Sequence, residues 1–585
     1  MSDVGSPSAC PMSDVGNYRE QTQCGRKWNM LTRDLGPAEG DRTSDQSLSL
    51  CRNIPQQYST SDDVIGSYPC MFGVRMRLFH VMVSLVVLSY VWCESTQGWA
   101  AERPNIVVIL IDDMGMMDTS VPFITDATGK PQRQPLNDFY RTPQMERLAS
   151  QGIRFSNFYA MSVCSPTRIA IMTGQTSARH HTTNWIKPES NNAGAFGPAD
   201  WQWQGVTPQH VTMPMVLREA GYRTIHCGKG HFGPTDSYGM EPNNIGFDIN
   251  IAGSGIGQPG SYYGKENFGA GKGGRDKRAV PGMEGYFGQD IFLTEALTLE
   301  VNKAISQAVT DKKPFFAYMA HYAVHAPFNP DPRFVGNYPN VAKPLAAFAS
   351  LIEGMDKSLG DMLDHLEKLG VAENTLVVFM GDNGSDAPNG ASHDVACAAP
   401  LRGKKATHYE GGMRVPCIAA WAKPNANHAL QKQLPIPHGA VSTSLGAVYD
   451  IFPTVMALTG VTPPATPRDG IDLAPLLRGE KGAGTDREFL MHFPHEHRSA
   501  YFTVYRKGDW KVIFHYHHES KNKWTQYELF NLANDPYEAT NLAESQPAQL
   551  RTMMLAMTAA LEKAGAQYPM DKEKKNPMKP IVPGL

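Results

Sequence analysis

Several short segments of the chain carry side chains whose types and spacing suit chemistry on an anion. Cys164-Ser165-Pro166-Thr167-Arg168 leads into a short stretch closed by Thr173-Gly174. Ser165 is a good N-cap, Pro166 suits the first helical position and Gly174 suits a helix end, which puts Cys164 just before a helix N-terminus. Exposed amides and the positive end of the dipole favour a bound anion there and tend to lower a thiol pKa. Arg168 adds a fixed cation able to hold an oxyanion. A buried structural cysteine is the competing reading.

Asp112-Asp113 and Asp382-Asn383 supply three carboxylates and an amide, hard oxygen donors suited to Ca²⁺ or Mg²⁺ rather than Zn²⁺. Either pair alone reads better as turn and cap residues. Lys229 and His231 lie on one side of a glycine-rich turn, Gly228 to Gly233. His321 and His325 follow an apolar run, with His321 read as a hydrogen-bonded core histidine. Leu401-Arg402-Gly403-Lys404-Lys405 forms a basic turn ahead of a glycine corner, Glu410 to Pro416.

These segments need elements to position them. Asn105 to Ile111, Pro314 to Ala320 and Thr375 to Met380 are continuous apolar runs of strand length, the kind buried on both faces of a parallel sheet. Ser350 to Leu369 reads as an amphipathic helix. The expected fold is therefore α/β, a large domain with a mostly parallel sheet flanked by helices. Ligands of such sheets gather beyond the carboxyl ends of the strands, where the two oxygen-rich pairs fall. The large domain is expected over 101–485. A C-terminal subdomain over 486–585 is expected to hold a small antiparallel sheet, with Lys507-Gly508-Asp509 turning between two strand-like segments, and a helix. The histidines His492, His495, His497, His515, His517 and His518 read as exposed strand residues, because no metal-ligand spacing repeats. Residues 572–575 read as a solvated tail. Trp185, Trp201, Trp203, Tyr262 and Tyr263, with the glycine-rich 253–274, suit a pocket rim or core packing equally well.

The 585 residues are 41% hydrophobic and 19% charged with a net charge of -3, which excludes a polybasic nucleic-acid surface and a disordered acidic tail. Residues 1–70 show no hydrophobic periodicity and read as an unstructured leader. A basic stretch and an apolar run, Leu78 to Trp92, give 71–100 the layout of a secretory signal peptide, too short for a comfortable membrane span. Translation is then expected to start at Met71 or Met76 and the product to be periplasmic or extracellular, with membrane contact only during export. A cytoplasmic leader ahead of an anchor is the alternative. Of nine cysteines, Cys164, Cys227, Cys397 and Cys417 follow that region, too few for a disulfide framework.

From Pro104 to about Ala543 the ordered series I-D-D, C-S-P-T-R with T-G, G-Y-R-T with G-K-G-H-F-G, H-A-P, G-D-N-G, L-R-G-K-K-A-T-H-Y-E-G-G-M-R-V-P and Y-E-L-F-N-L-A-N-D-P-Y-E-A-T-N-L resembles the formylglycine-dependent sulfatases of the alkaline phosphatase superfamily. Thr167 stands where serine is commoner, Gly230 where tryptophan is frequent, and Phe232 where leucine is frequent. The resemblance implies that Cys164 is oxidised to formylglycine by a sulfatase-maturing enzyme. It implies that Asp112, Asp113, Asp382, Asn383 and the modified Cys164 bind a divalent cation, Ca²⁺ ahead of Mg²⁺. Arg168 would orient the formylglycine, and Lys229 and Lys405 would hold sulfate oxygens. Lys405 matches better than Lys404.

The implied reaction is hydrolysis of a sulfate ester through a covalent sulfo-enzyme. Asp382 helps to activate the nucleophile, His325 with Lys405 protonates the leaving alcohol, and His231 deprotonates the second hydroxyl that expels sulfate. The expected substrate is a sulfated small molecule or saccharide, cleaved in exo fashion. A phosphate or phosphonate monoester hydrolase of the same superfamily, and a non-catalytic sulfated-glycan-binding protein with unmodified Cys164, are the alternatives.

Overall fold

The computed structural model describes residues 103–271, 277–480, 482–519 and 524–584; the expected leader and signal peptide lie outside them. Eight strands form the main sheet: β1 (Asn105–Ile111), β2 (Ile153–Tyr159), β3 (Arg223–Gly228), β4 (Ile249–Ile251), β5 (Phe315–His321), β6 (Thr375–Gly381), β7 (Cys417–Trp421) and β8 (Ala440–Ala447). Their order is β4-β3-β5-β1-β6-β7-β2-β8. All neighbours are parallel except β7, which runs antiparallel to both β6 and β2.

Side-chain alternation explains why β1 sits in the centre. Ile106, Val108 and Leu110 enter one apolar cluster, and Val107, Ile109 and Ile111 enter another on the opposite face. Every residue of β1, β5 and β6 is buried. A strand without a polar face is stable only with helices on both sides. One layer is built from Leu293–Thr310 and Lys343–Lys368, whose apolar residues share a cluster with the β1 residues Val107, Ile109 and Ile111. The second of these helices begins seven residues before the expected Ser350, because Pro344 lies in its first turn, where a missing N–H costs nothing.

Register brings the strand ends together. Ile111 pairs with His321 on one side and with Gly381 on the other, while Gly228 pairs with Ala320. The residues that follow β1, β3 and β6 therefore emerge side by side. At the end of β3, Gly228 adopts φ +96, and a Cβ there would collide with the carbonyl of Ala320. That close approach lets Lys229 donate its backbone N–H to Ala320 O at 2.7 Å.

The C-terminal sheet has four antiparallel strands in the order β12-β11-β10-β9: β9 (Glu488–Glu496), β10 (Ala500–Lys507), β11 (Trp510–His515) and β12 (Tyr527–Asn531). Lys507 pairs with Trp510 around a two-residue Gly508-Asp509 turn in which Gly508 has φ +56. The helix Pro547–Ala564 packs on this sheet through Leu550, Met553, Met554, Met557 and Leu561. The expectation of exposed histidines fails for four of the six. His492, His495, His515 and His517 are buried, because β9 to β11 are covered by the large domain as well as by that helix, whereas His497 is exposed and His518 half-buried. Among the described residues no helix is long and apolar enough to cross a membrane.

Candidate active site

Cys164 opens the helix Cys164–Thr173, every residue of which is buried. The cap differs from the sequence expectation: Val163, in an extended conformation, precedes the helix, and Cys164 is its first residue. Ser165 is used elsewhere, since its Oγ accepts the N–H of Ile186 at 3.1 Å. Thr167 Oγ1 accepts the N–H of Met161 at 2.9 Å and so fixes the turn leading into the helix. Gly174 ends it with φ +71, as expected. The thiol also departs from expectation. Burial pushes its pKa up to about 11, outweighing Lys229 and Lys405, which pull it down. Its environment disfavours a thiolate, so a free-thiol nucleophile is a poor fit.

Around Cys164 stand three buried carboxylates and three buried cations. Arg168 directs Nη2 and Nε to Asp382 Oδ2 at 2.8 and 3.1 Å, and Nη1 to the carbonyl of Lys229 at 2.9 Å. Lys229 Nζ bridges the two oxygens of Asp112 at 2.9 and 2.7 Å. Lys405 Nζ lies 2.6 Å from Asp113 Oδ1 and 2.7 Å from Oδ2. Lys404 faces away, donating to Ala387 O at 2.9 Å. Asp113 has φ +61, a conformation rare for a residue with a side chain, and in it donates its N–H to Asp382 Oδ1 at 2.9 Å.

Cation-binding character is clearest at Asn383. Its Nδ2 donates to Asp113 Oδ1 at 2.9 Å, while Oδ1 is buried without a hydrogen-bond partner. Such an oxygen costs free energy unless something positive faces it. Asp112, Cys164 and Asp382 also bring one ligand atom each within 4.8 Å of one another, as do Asp113, Cys164 and His325. Burial, reinforced by Asp112, pushes the Asp382 carboxyl up to about 6. Burial would raise Asp113 too, but His325, Lys405 and Lys229 hold it well below the usual carboxylate range. Asp112, Asp113, Asp382 and Asn383 thus fit a hard divalent cation.

The two histidines differ in tautomer. His231 Nε2 lies 2.6 Å from Ile186 O, so that nitrogen carries the proton, and buried Nδ1 is left unprotonated with no partner. Burial, then the Lys229 charge, holds its pKa well below the ordinary value, the state of a neutral base. His325 donates from Nδ1 to Ala326 O at 2.8 Å and turns Nε2 towards Asp113 Oδ2 at 3.5 Å. Burial lowers its pKa to about 4, so of His325 and Lys405 it is Lys405 that stays charged at neutral pH.

Above these groups lies a pocket of about 200 Å³, lined by Cys164, His231, His325 and Lys405 below and by Trp185, Arg278, Asp386, His497 and Arg498 around the mouth. Sequence reasoning reached Trp185 only as one of several aromatics and missed Asp386 and Arg498. Arg498 grips Asp386 through Nη1 and Nη2 at 2.6 and 2.9 Å. Of the other aromatics, Trp201 packs against His495. Tyr262 is buried, its hydroxyl 2.6 and 2.8 Å from the carbonyls of Tyr322 and His325, and so supports His325 from behind. His321 is the core histidine that was expected, buried and 3.0 Å from Ser358 Oγ. Cys227, Cys397 and Cys417 are buried free thiols. At Gly230 a Cβ would press to 2.8 Å on Ser254 O, so the backbone occupies the place a larger residue would need.

A cysteine at a buried helix start, ringed by paired cations and carboxylates at the ends of a parallel sheet, defines a hydrolase site for an anionic ester. The sulfatase family profile matches residues 104–461, and the chain belongs to the sulfatase family: it is a sulfuric ester hydrolase. A second profile, N-sulphoglucosamine sulphohydrolase, C-terminal, matches residues 404–567. N-acetylgalactosamine-6-sulfatase of Canis lupus familiaris is 31% identical over 417 residues, 67% of this chain and 69% of that protein. N-acetylgalactosamine-6-O-sulfatase of Bacteroides thetaiotaomicron is 27% identical over 532 residues, covering 79% and 93%. Among solved structures, the PsFucS1 sulfatase from Pseudoalteromonas sp. aligns with a TM-score of 0.58 at 25% identity, covering 82% of this chain and 93% of that one.

Proposed function

We infer that the chain is an exported sulfatase that removes a sulfate ester from the end of a saccharide, with Cys164 working as formylglycine. The observation that carries this reading is the convergence of Cys164, Lys229, Lys405, His231 and His325 on one small pocket, above a buried set of oxygen donors. Its volume of about 200 Å³ is below the ~300 Å³ at which pockets enclose drug-sized ligands, which favours a single terminal sugar unit. Relatives named for N-acetylgalactosamine 6-sulfate make a 6-O-sulfated hexosamine the first substrate to try. Export rests on the apolar run after the basic stretch in 71–100.

Sulfate esters resist attack partly because their own oxygens repel a nucleophile. Formylglycine hydrate supplies two hydroxyls on one carbon, one to attack sulfur and one whose deprotonation expels the sulfate. Asp112, Asp113, Asp382 and Asn383 would hold a Ca²⁺ ion, which would supply positive charge for the nucleophile and the sulfate oxygens. Lys229 and Lys405 neutralise those oxygens once they exchange their carboxylate contacts for the ester. Arg168 keeps Asp382 in place to receive a proton. Lys405, charged and next to His325, supplies the proton for the departing alcohol. His231, neutral with Nδ1 unprotonated, takes the proton that releases sulfate.

The test is a panel of defined sulfated mono- and oligosaccharides, assayed beside aryl sulfate and aryl phosphate. Sulfate release from a terminal 6-O-sulfated hexosamine supports the reading. Faster phosphate release moves the chain to the monoester phosphohydrolases, and activity with an intact Cys164 thiol ends the formylglycine mechanism.

A further inference from the structure

A second constellation of metal-ligating side chains lies apart from the catalytic carboxylates, where the large domain meets the C-terminal sheet. His408, from the turn after Lys405, meets His515 of β11 and Glu528 of β12. Each offers one ligand atom, all within 4.8 Å of one another, and the two imidazoles are 0% exposed. His515 Nε2 lies 2.8 Å and His408 Nε2 3.4 Å from the same oxygen, Glu528 Oε1.

Proton counting leaves this cluster incomplete. His408 Nδ1 is 2.9 Å from Ser499 Oγ, and His393 Nε2 is 3.0 Å from the same oxygen. If His408 donates from Nδ1, its Nε2 lone pair faces a carboxylate inside the protein, a repulsive contact unless a cation lies between them. If Ser499 donates instead, the N–H at Nε2 points at an oxygen too distant for a good hydrogen bond. His408 Nε2, the nitrogen that faces Glu528, is buried without a hydrogen-bond partner. A desolvated imidazole nitrogen left unsatisfied beside a carboxylate is costly.

We propose that His408, His515 and Glu528 bind a zinc ion that ties the C-terminal sheet to the active-site loop. Two imidazoles and one carboxylate are a donor set that zinc takes at about 2.0–2.2 Å, which separates neighbouring ligand atoms in a tetrahedron by about 3.3 Å. The 3.4 Å contact already has that spacing, and the 2.8 Å contact reaches it by a small opening. Outer partners are in place too: Ser499 stands behind His408, and Tyr409 OH donates to Glu528 Oε2 at 3.0 Å. Trp524 stacks on His515, with ring centroids 5.5 Å apart and planes at 12°, and covers the cluster. The donors also differ from the oxygen-only set beside Cys164, so the two sites select different ions. Through Ser499, whose N–H donates to Ala406 O at 3.1 Å, the zinc steadies the loop that carries Lys405.

Elemental analysis of the mature enzyme tests this, together with cobalt exchange and thermal unfolding. We expect one zinc equivalent, replaced by cobalt with tetrahedral visible bands, lost in His515→Gln and Glu528→Gln and kept in Asp112→Asn. For enzyme stripped by a chelator, adding zinc raises Tm and saturates at one equivalent. This arm needs no variant to fold. A wild-type enzyme that binds neither zinc nor tetrahedral cobalt, or a signal that disappears in Asp112→Asn but persists in His515→Gln, overturns the proposal.

Discussion

Arg168 and Asp382 are joined through two nitrogens to one oxygen, Nη2 and Nε to Oδ2 at 2.8 and 3.1 Å, with both side chains fully buried. The sequence resemblance assigned Arg168 to the catalytic residue itself. Beside the unmodified Cys164 its hydrogen bonds go to the carboxylate and to Lys229 O, contacts that suit it also to holding the neighbours of Cys164 in place. Arg168→Ala should cost about 3–5 kcal/mol of stability, because it leaves a buried carboxylate unpaired. Arg168→Lys keeps the charge but loses the fork, and kcat is expected to fall on the order of 10²-fold as Asp382 shifts. Denaturant unfolding of the first and steady-state kinetics of the second check this; near-native values in both contradict the positioning role.

The lowered pKa of His231 sets the acid side of the pH profile. A base works when deprotonated, and a pKa held below the ordinary value of about 6.5 means that activity falls only when pH drops through that lower value. Because His231 acts after the alcohol has left, its ionisation shows in kcat, and the acid limb of kcat is expected below pH 6.5. His231→Gln should reduce kcat by about 10²–10⁴-fold. An acid limb above the free-imidazole value would remove His231 from the role.

Asp386 and Arg498 shape the mouth rather than the base of the pocket. Arg498 and Asp386 line the pocket, and a charge-assisted hydrogen bond from Arg498 to a sugar hydroxyl would be worth about 1.5–3 kcal/mol, so Arg498→Ala is expected to raise KM for a saccharide sulfate by about tenfold or more. A small aryl sulfate, which does not reach the mouth, should show a much smaller change. Equal losses on both substrates would mean that Arg498 serves Lys405, whose carbonyl it touches at 3.3 Å.

Calcium is expected to stabilise the folded chain by mass action, raising Tm with concentration. Asp113→Asn should weaken that rise strongly, since it removes a negative charge and one of the two oxygens that face the cation and Lys405. Differential scanning calorimetry across a calcium series reads the effect directly. A calcium-dependent Tm retained undiminished in the variant would mean that the ion binds elsewhere.

A peptide spanning Ser162 to Arg168 should carry an aldehyde in place of the thiol. Labelling with a carbonyl-specific hydrazide, followed by peptide mass mapping, detects it. Cys164→Ser should be inactive in turnover, because a single hydroxyl lacks the second one that releases sulfate. Full activity without any aldehyde would remove the formylglycine step.

The centre of the sheet, β5-β1-β6, was legible in the sequence because it is built from unbroken apolar runs. Asn105 to Ile111 was placed residue for residue, and β5 and β6 to within one residue. The oxygen donors at the ends of those strands followed from the same rule. What the sequence hid were contacts made by chain folding over the pocket. Asp386 and Arg498 are 112 residues apart and carry no local pattern. The buried histidines of β9 to β11 were misread for a related reason, since alternation in a strand reveals its two faces but not that both are covered. The thiol was misjudged because a helix start is visible in sequence and complete desolvation is not.

The central position of β1 also bears on how the site comes into being. Its neighbours β5 and β6 lie about 210 and 270 residues downstream, as the contacts of Asn105 with Phe315 and Thr375 record. Loops of that length must close before Asp112, Lys229 and Asp382 meet, and such non-local pairings make for slow folding. Asp112 and Lys229 can meet once β5 has been made, since β1 and β3 both pair with it. Asp382 and Lys405 join them only after residue 405 has been made, which links the appearance of reactivity to the closing of β6 onto β1 and of the segment that follows it.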